Sequence, residues 1–190
     1  ARELMVENQL KPNKIKDPII INLFKNTKKE DFLSGNIKET SYSDLDINLD
    51  ANRGYLKNLH LAQLIHSANI QSNQKVLHIG GLTGYVSSIL ANLCDELIVI
   101  ENEKHLFDQL EKNIQNLSLK NIKLINSSFA EGCVKYSPYD VIFIDNPVQE
   151  ITNYKDQIIN DYGKIIMIKK IYNDLCKAYK ITKRNNKYTQ

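Results

Sequence analysis

Glycine is in short supply in this chain, with 7 among 190 residues, where roughly 7% is usual. Scarcity makes placement informative. Three of the seven, Gly80, Gly81 and Gly84, fall in one five-residue window, as if the backbone there had a reason to need them. Cysteine is also sparse. Cys94, Cys133 and Cys176 are odd in number, far apart and outside CxxC spacing. That pattern argues against a disulfide framework and against a zinc site, so a reducing cytoplasm is expected. No apolar run approaches the roughly 18 residues that span a bilayer. The opening stretch ARELMVENQLKPNK has no apolar signal core. A net charge of +3 and a pI near 8.6 are too mild to argue for a nucleic-acid partner.

What is present is an ordinary globular composition, 42% hydrophobic and 25% charged, long enough for one core-bearing domain. Ile, Asn and Lys number 25, 22 and 22. That excess reads as the mutational bias of an AT-rich genome, and it discounts lysine and asparagine as functional signals.

Residues 1–55 differ from the rest. Asp17-Pro18 is a helix start, with an acidic N-cap and proline in the first helical position, and predicts a helix over 17–26. Residues 34–53 are polar and read as loop. From residue 59 the pattern becomes regular. KVLHI, ELIVIE, IKLIN, DVIFID, KIIMIKK and AYKITK read as strands. Helical patterns lie over 59–68, 84–94 and 103–119, and over VQEITNYKDQIINDYG, which ends at a capping Gly163. This alternation predicts right-handed βαβ units and an α/β, mostly parallel, Rossmann-like sheet with helices on both faces. Residues 1–55 are expected to form an N-terminal helical lid on a domain over 56–190, the two making one compact unit.

The glycine window sits where the first parallel strand opens into a helix. In such sheets ligands bind beyond the carboxyl ends of the strands, at the switch point. Glu101 stands about 20 residues on, at the end of the second strand, where a carboxylate can accept both hydroxyls of a ribose. The dinucleotide pattern GxGxxG is incomplete, because Ser87 and Ser88 follow Tyr85 and Val86. A short glycine turn followed by Tyr fits class I S-adenosylmethionine-dependent methyltransferases better.

The chain resembles the protein-L-isoaspartate O-methyltransferase family, in a short alphaproteobacterial form, over most of its length. RELMVENQ (residues 2–9) is similar to the family's opening pattern, and Lys28-Lys29-Glu30-Asp31-Phe32 to its Pro-Arg-Glu-x-Phe. Val76 to Tyr85 resembles VLEIGTGSGY, Ile100-Glu101 its acid after strand two, and Gly163-Lys164-Ile165 its fifth strand. The segments Asn121–Asn126, Gly132 and Tyr139–Ile142 resemble its third and fourth strands. The resemblance implies S-adenosylmethionine as cofactor and S-adenosylhomocysteine as product. It implies isoaspartyl-containing proteins or peptides as partners, and Gly80, Gly81, Thr83, Gly84, Glu101, Ser128 and Phe129 as cofactor-binding residues.

The departures are specific. The family's middle glycine is Leu82, and the acid before the turn is His78. The acid near the adenine is Ser128, followed by Phe129. The Thr-Ile-Ser-Gln-Pro loop, whose Ser is linked to catalysis, falls in Gly54–Leu59, with Asn58 or Lys57 nearest; the catalytic residue stays unassigned. If position 82 requires a positive φ, Leu carries a steric cost there of about 1–2 kcal/mol. His78, on a strand end, is expected to be a packed core histidine. Two further readings stay open at this point. One is a degenerate member that has lost cofactor binding and acts as an interaction module, motivated by Leu82, His78, Ser128 and the missing Ser loop, which Leu82 or His78 filling the cofactor pocket would support; the other is a methyltransferase with another substrate, such as a nucleic acid or a small molecule.

Overall fold

The N-terminal segment folds as short helical pieces. In the computed structural model, which describes residues 1–50, 53–148, 151–159, 161–172 and 175–190, helix α1 (Arg2–Met5) runs on through a π-helical turn and a 3-10 turn. Helix α2 spans Pro18–Asn26. Its start is the one expected: the Asp17 carboxylate accepts from the amides of Ile19 (2.8 Å) and Ile20 (3.3 Å), two of the donors that a helix N-terminus leaves unpaired. The polar stretch 34–53 is more than loop. It holds a 3-10 helix over Gly35–Thr40 and strand β1 (Ile47–Asn48), which pairs antiparallel with β2 (Gly54–Tyr55). Gly54 allows this pairing, since a Cβ there would lie 1.9 Å from the Ile47 carbonyl oxygen.

The rest follows in order: α3 (Asn58–Ala68), β3 (Lys75–Ile79), α4 (Tyr85–Ala91), β4 (Glu96–Glu101), α5 (Lys104–Gln115), β5 (Ile122–Asn126), β6 (Val141–Val148), α6 (Thr152–Lys155), β7 (Lys164–Tyr172), β8 (Leu175–Arg184) and β9 (Lys187–Thr189). The main sheet has the order β5-β4-β3-β6-β7-β8-β9. Its first five strands are parallel, and β8 and β9 add as antiparallel neighbours. The chain winds outward from β3 in both directions, so the crevice of the sheet opens at the carboxyl end of β3, between β4 and β6.

The central strands read as unbroken apolar runs because both faces are covered. Val76, Val99, Val141, Phe143 and Ile166 face α3, α4, α5 and the N-terminal pieces, with Met5, Leu10 and Phe24 in the same cluster. Leu77, Ile79, Ile98, Ile100, Ile142, Ile144 and Met167 face a second cluster closed by Tyr139, Tyr154 and Ile158.

The long helix expected over VQEITNYKDQIINDYG shrinks to the single turn of α6; Gln149, Glu150 and Asn160 lie outside the described residues. The cause is Gln157. Its amide oxygen accepts from the Cys133 amide (2.9 Å), its amide nitrogen donates to the Glu131 carbonyl (2.7 Å), and its own carbonyl accepts from Tyr139 N (2.8 Å). Ile158 then bridges to Tyr139 in strand fashion. Tertiary partners overrode local helical preference. Strand β6 also runs three residues further than the sequence pattern suggests, with a register shift between Ile144 and Pro147. That extension carries Asn146, Pro147 and Val148 to the wall of the crevice.

The cap on α2 gives the first prediction. Asp17→Ala should lower stability by about 1 kcal/mol, read as a shift in the urea midpoint at unchanged slope. A loss within error would show that the cap does not hold the segment.

Candidate functional site

The site is built from the strand-to-helix turn. Gly80 and Gly81 both donate their amides to the Ile100 carbonyl, at 2.9 and 3.1 Å, which clamps the end of β3 to β4. Gly80 has φ +92° and Gly84 has φ +102°. Between them Leu82 also sits at φ +50°, so the conditional expectation holds and leucine bears the left-handed cost. Two contacts keep it there. Its side chain is buried in the core, and its amide donates to Glu101 Oε2 at 2.8 Å.

The sequence-predicted residues divide into two groups. Gly81 and Gly84 turn their bare Cα faces to the core: a Cβ would meet Val99 and Leu110 in one case, Leu110 and Ile114 in the other. Thr83 is buried, with its hydroxyl 2.8 Å from the Tyr55 hydroxyl. That tyrosine oxygen also accepts from the amides of Thr83 (3.2 Å) and Tyr85 (3.1 Å), capping the start of α4 from the N-terminal segment. Gly80, Glu101 and Phe129 are the residues brought together at the crevice. Ser128 is adjacent but exposed, and its hydroxyl accepts from the Ala130 amide at 3.2 Å.

Glu101 is fully buried at the end of β4. It is held by Arg53, a residue the sequence did not single out. The guanidinium forks onto the carboxylate, Nη1 to Oε1 and Nη2 to Oε2, the latter at 2.9 Å. Nη1 also reaches Asn102 Oδ1 (2.9 Å), and the guanidinium lies over the Phe129 ring, 5.0 Å from its centre. A cavity of about 560 Å³ lies here, walled by Ile79, Phe129, Ile144 and Pro147, with Arg53 and Asn146 at its polar side. A Cβ on Gly80 would fall 2.2 Å from the Asn146 amide nitrogen and 3.4 Å from Arg53 Nη2.

His78 is fully buried, with Nδ1 2.9 Å from Ser87 Oγ and Nε2 3.2 Å from Asp145 Oδ1. The carboxylate missing from β3 is thus matched by one on β6. Neither candidate for the missing Ser lines the cavity. Lys57 pairs with Asp44 (3.1 Å). Asn58 is buried, donating to the Ser41 carbonyl (3.0 Å) and accepting from Lys29 Nζ (3.0 Å). Lys29 is itself fully buried, its ammonium 5.4 and 5.3 Å from the rings of Tyr55 and Tyr85. Burial lowers its pKa from 10.5 to about 7, against the pull of Asp46.

Comparisons with known proteins bear on the family and the fold. A profile of the family described as protein-L-isoaspartate(D-aspartate) O-methyltransferase matches residues 1–190. A protein-L-isoaspartate O-methyltransferase from Pelobacter propionicus is 22% identical over 143 residues, which are 75% of this chain and 64% of that protein. The chain therefore spans less than two thirds of that relative's length. A solved protein-L-isoaspartate O-methyltransferase superposes with a TM-score of 0.83 at 21% identity, covering 97% of this chain and 61% of the other. A Plasmodium falciparum protein described as a protein-L-isoaspartate O-methyltransferase in complex with S-adenosyl-L-homocysteine gives 0.81 at 19% identity, covering 97% and 91%. The fold is that of class I S-adenosylmethionine-dependent methyltransferases.

The lysine beneath the turn predicts a pH dependence. Folded Lys29 gives up its proton from about pH 7, while the unfolded chain keeps it to 10.5. The unfolded state therefore binds more protons in between, and stability rises with pH across that window. Urea midpoints should climb from pH 7 to about 9 in the native chain, and less steeply in Lys29→Met. Equal slopes in the two would contradict the assignment.

Proposed function

Because the chain belongs to the protein-L-isoaspartate O-methyltransferase family, we propose that it transfers a methyl group from S-adenosylmethionine to the free carboxylate of L-isoaspartyl residues in damaged proteins. The observation that carries this reading is the placement of Glu101, a buried carboxylate at the end of β4 beside the Gly80 turn. That is where a ribose diol is held in sheets of this kind.

The residues present fit such a cofactor. Glu101 would accept from the ribose hydroxyls, the bare Gly80 backbone would allow close approach, and Phe129, Ile79 and Ile144 would supply apolar walls. Residues 1–55 would then serve as a lid that contributes Arg53 and Tyr55. When bound, the cofactor supplies an electrophilic methyl group on a sulfonium. The chain's own task is to position and to exclude water. An isoaspartyl carboxylate is ionised at pH 7, so no general base is needed. This is in keeping with a cavity whose lining, among the described residues, holds no Ser or His, and with the placement of Asn58 and Lys57 away from it. The partners are isoaspartyl-containing proteins or peptides. Among the described residues no helix is long and apolar enough to cross a membrane. The thiols of Cys94, Cys133 and Cys176 are all free, which supports a cytoplasmic setting.

Leu82 or His78 filling the pocket would have supported the degenerate reading; both instead pack into the interior and neither lines the cavity, so that support is missing.

Calorimetry with S-adenosylhomocysteine and a product assay on an isoaspartyl peptide test the proposal. Binding and turnover are expected, and Glu101→Gln should weaken binding about ten- to a hundredfold, the worth of a charged hydrogen bond. No binding at millimolar ligand and no turnover would sink it.

A further inference from the structure

We propose that Arg53 is a gate on the cofactor site, an internal competitor that must leave Glu101 before a nucleoside can bind; this rests on the cofactor reading above. A carboxylate offers about four lone-pair sites, and at Glu101 four donors fill them. Oε1 receives Arg53 Nη1 and the Glu103 amide (3.0 Å). Oε2 receives Arg53 Nη2 (2.9 Å) and the Leu82 amide (2.8 Å). The two amides belong to β4's exit and to the glycine turn, so the fold itself holds them in place. Only the two sites under Arg53 can be given up, and they are two in number, as a ribose diol requires.

The same guanidinium covers the ring of Phe129 and stands with Asn146 over the bare face of Gly80. It thus sits on the acid, the ring and the glycine at once. Its backbone is tied back. The Arg53 carbonyl accepts from the amides of Leu49 (2.9 Å) and Asp50 (3.2 Å), and its amide donates to Asp50 Oδ1 (3.1 Å). Gly54, next in the chain, has no space beyond its Cα. Opening is therefore a rotation of the side chain about a fixed backbone. The side chain is 15% exposed while Glu101 is at 0%, so the arginine can reach water and the acid cannot follow.

A site that is competent only when the gate is open binds with an apparent affinity reduced by the open fraction. Calorimetry with S-adenosylhomocysteine on the native chain, Arg53→Lys and Arg53→Ala reads this. Lysine keeps the charge but loses the fork, so it should bind about threefold more tightly than the native chain, and alanine about tenfold. The thermal upshift at fixed ligand should grow in the same order. Removing the arginine leaves a buried carboxylate without a counter-charge; if Arg53→Ala does not fold, Arg53→Lys alone decides. Variants that bind no more tightly than a native chain that does bind would overturn the gate and leave the proposed function standing. Failure of all three to bind at millimolar ligand would overturn both.

Discussion

The buried carboxylate of Glu101 is the constraint on which the site depends. An ionised group taken out of water is strongly unfavourable unless it is paired and hydrogen-bonded. Here the pairing comes from three separate parts of the chain. The glycine turn supplies the Leu82 amide, the start of the next connection supplies the Glu103 amide, and the N-terminal segment supplies Arg53. The carboxylate therefore fixes where the turn lies relative to β4 and where residues before β2 meet the sheet. It also helps explain how a leucine persists in a left-handed conformation, since releasing Leu82 would strip one donor from a buried charge.

A second joint secures the other side of the turn. The Tyr55 hydroxyl bonds the amides of Thr83 and Tyr85, while Lys29 lies between the rings of Tyr55 and Tyr85 and donates to Asn58. The N-terminal segment is thus joined to the glycine turn by polar contacts on one flank and by an ion pair on the other. Departures from the family pattern are absorbed locally. His78 is satisfied between Ser87 and Asp145, so replacing an acid on β3 leaves no orphaned imidazole in the interior.

The parallel core was legible in the sequence because strands covered on both faces read as short apolar runs, and the shortness and β-branched content of ELIVIE and DVIFID favour strand over helix. Asp17-Pro18 was legible because a cap is local chemistry. The position of Glu101 at the end of β4 was legible because its distance from the turn reflects one βαβ unit. What escaped notice depends on partners far along the chain. The helix over 148–163 is undone by Gln157 bonding to residues 131 and 133. Arg53 acts 48 residues away, and no periodicity announces it. One signal was available: the chain has 3 arginines against 22 lysines, so an arginine is a choice made against a strong compositional bias, and its rigid fork suits a carboxylate as lysine does not.

If the proposed function and the gate both hold, Glu101 is a ribose acceptor held in reserve by Arg53. A crystal structure of the chain grown with S-adenosylhomocysteine tests it most directly. The ribose hydroxyls should lie on Glu101, with the Leu82 and Glu103 amides still donating to it and the Arg53 guanidinium rotated off the carboxylate and off Phe129. An adenosyl group bound elsewhere, or bound at the turn with the Arg53–Glu101 fork intact, would contradict it.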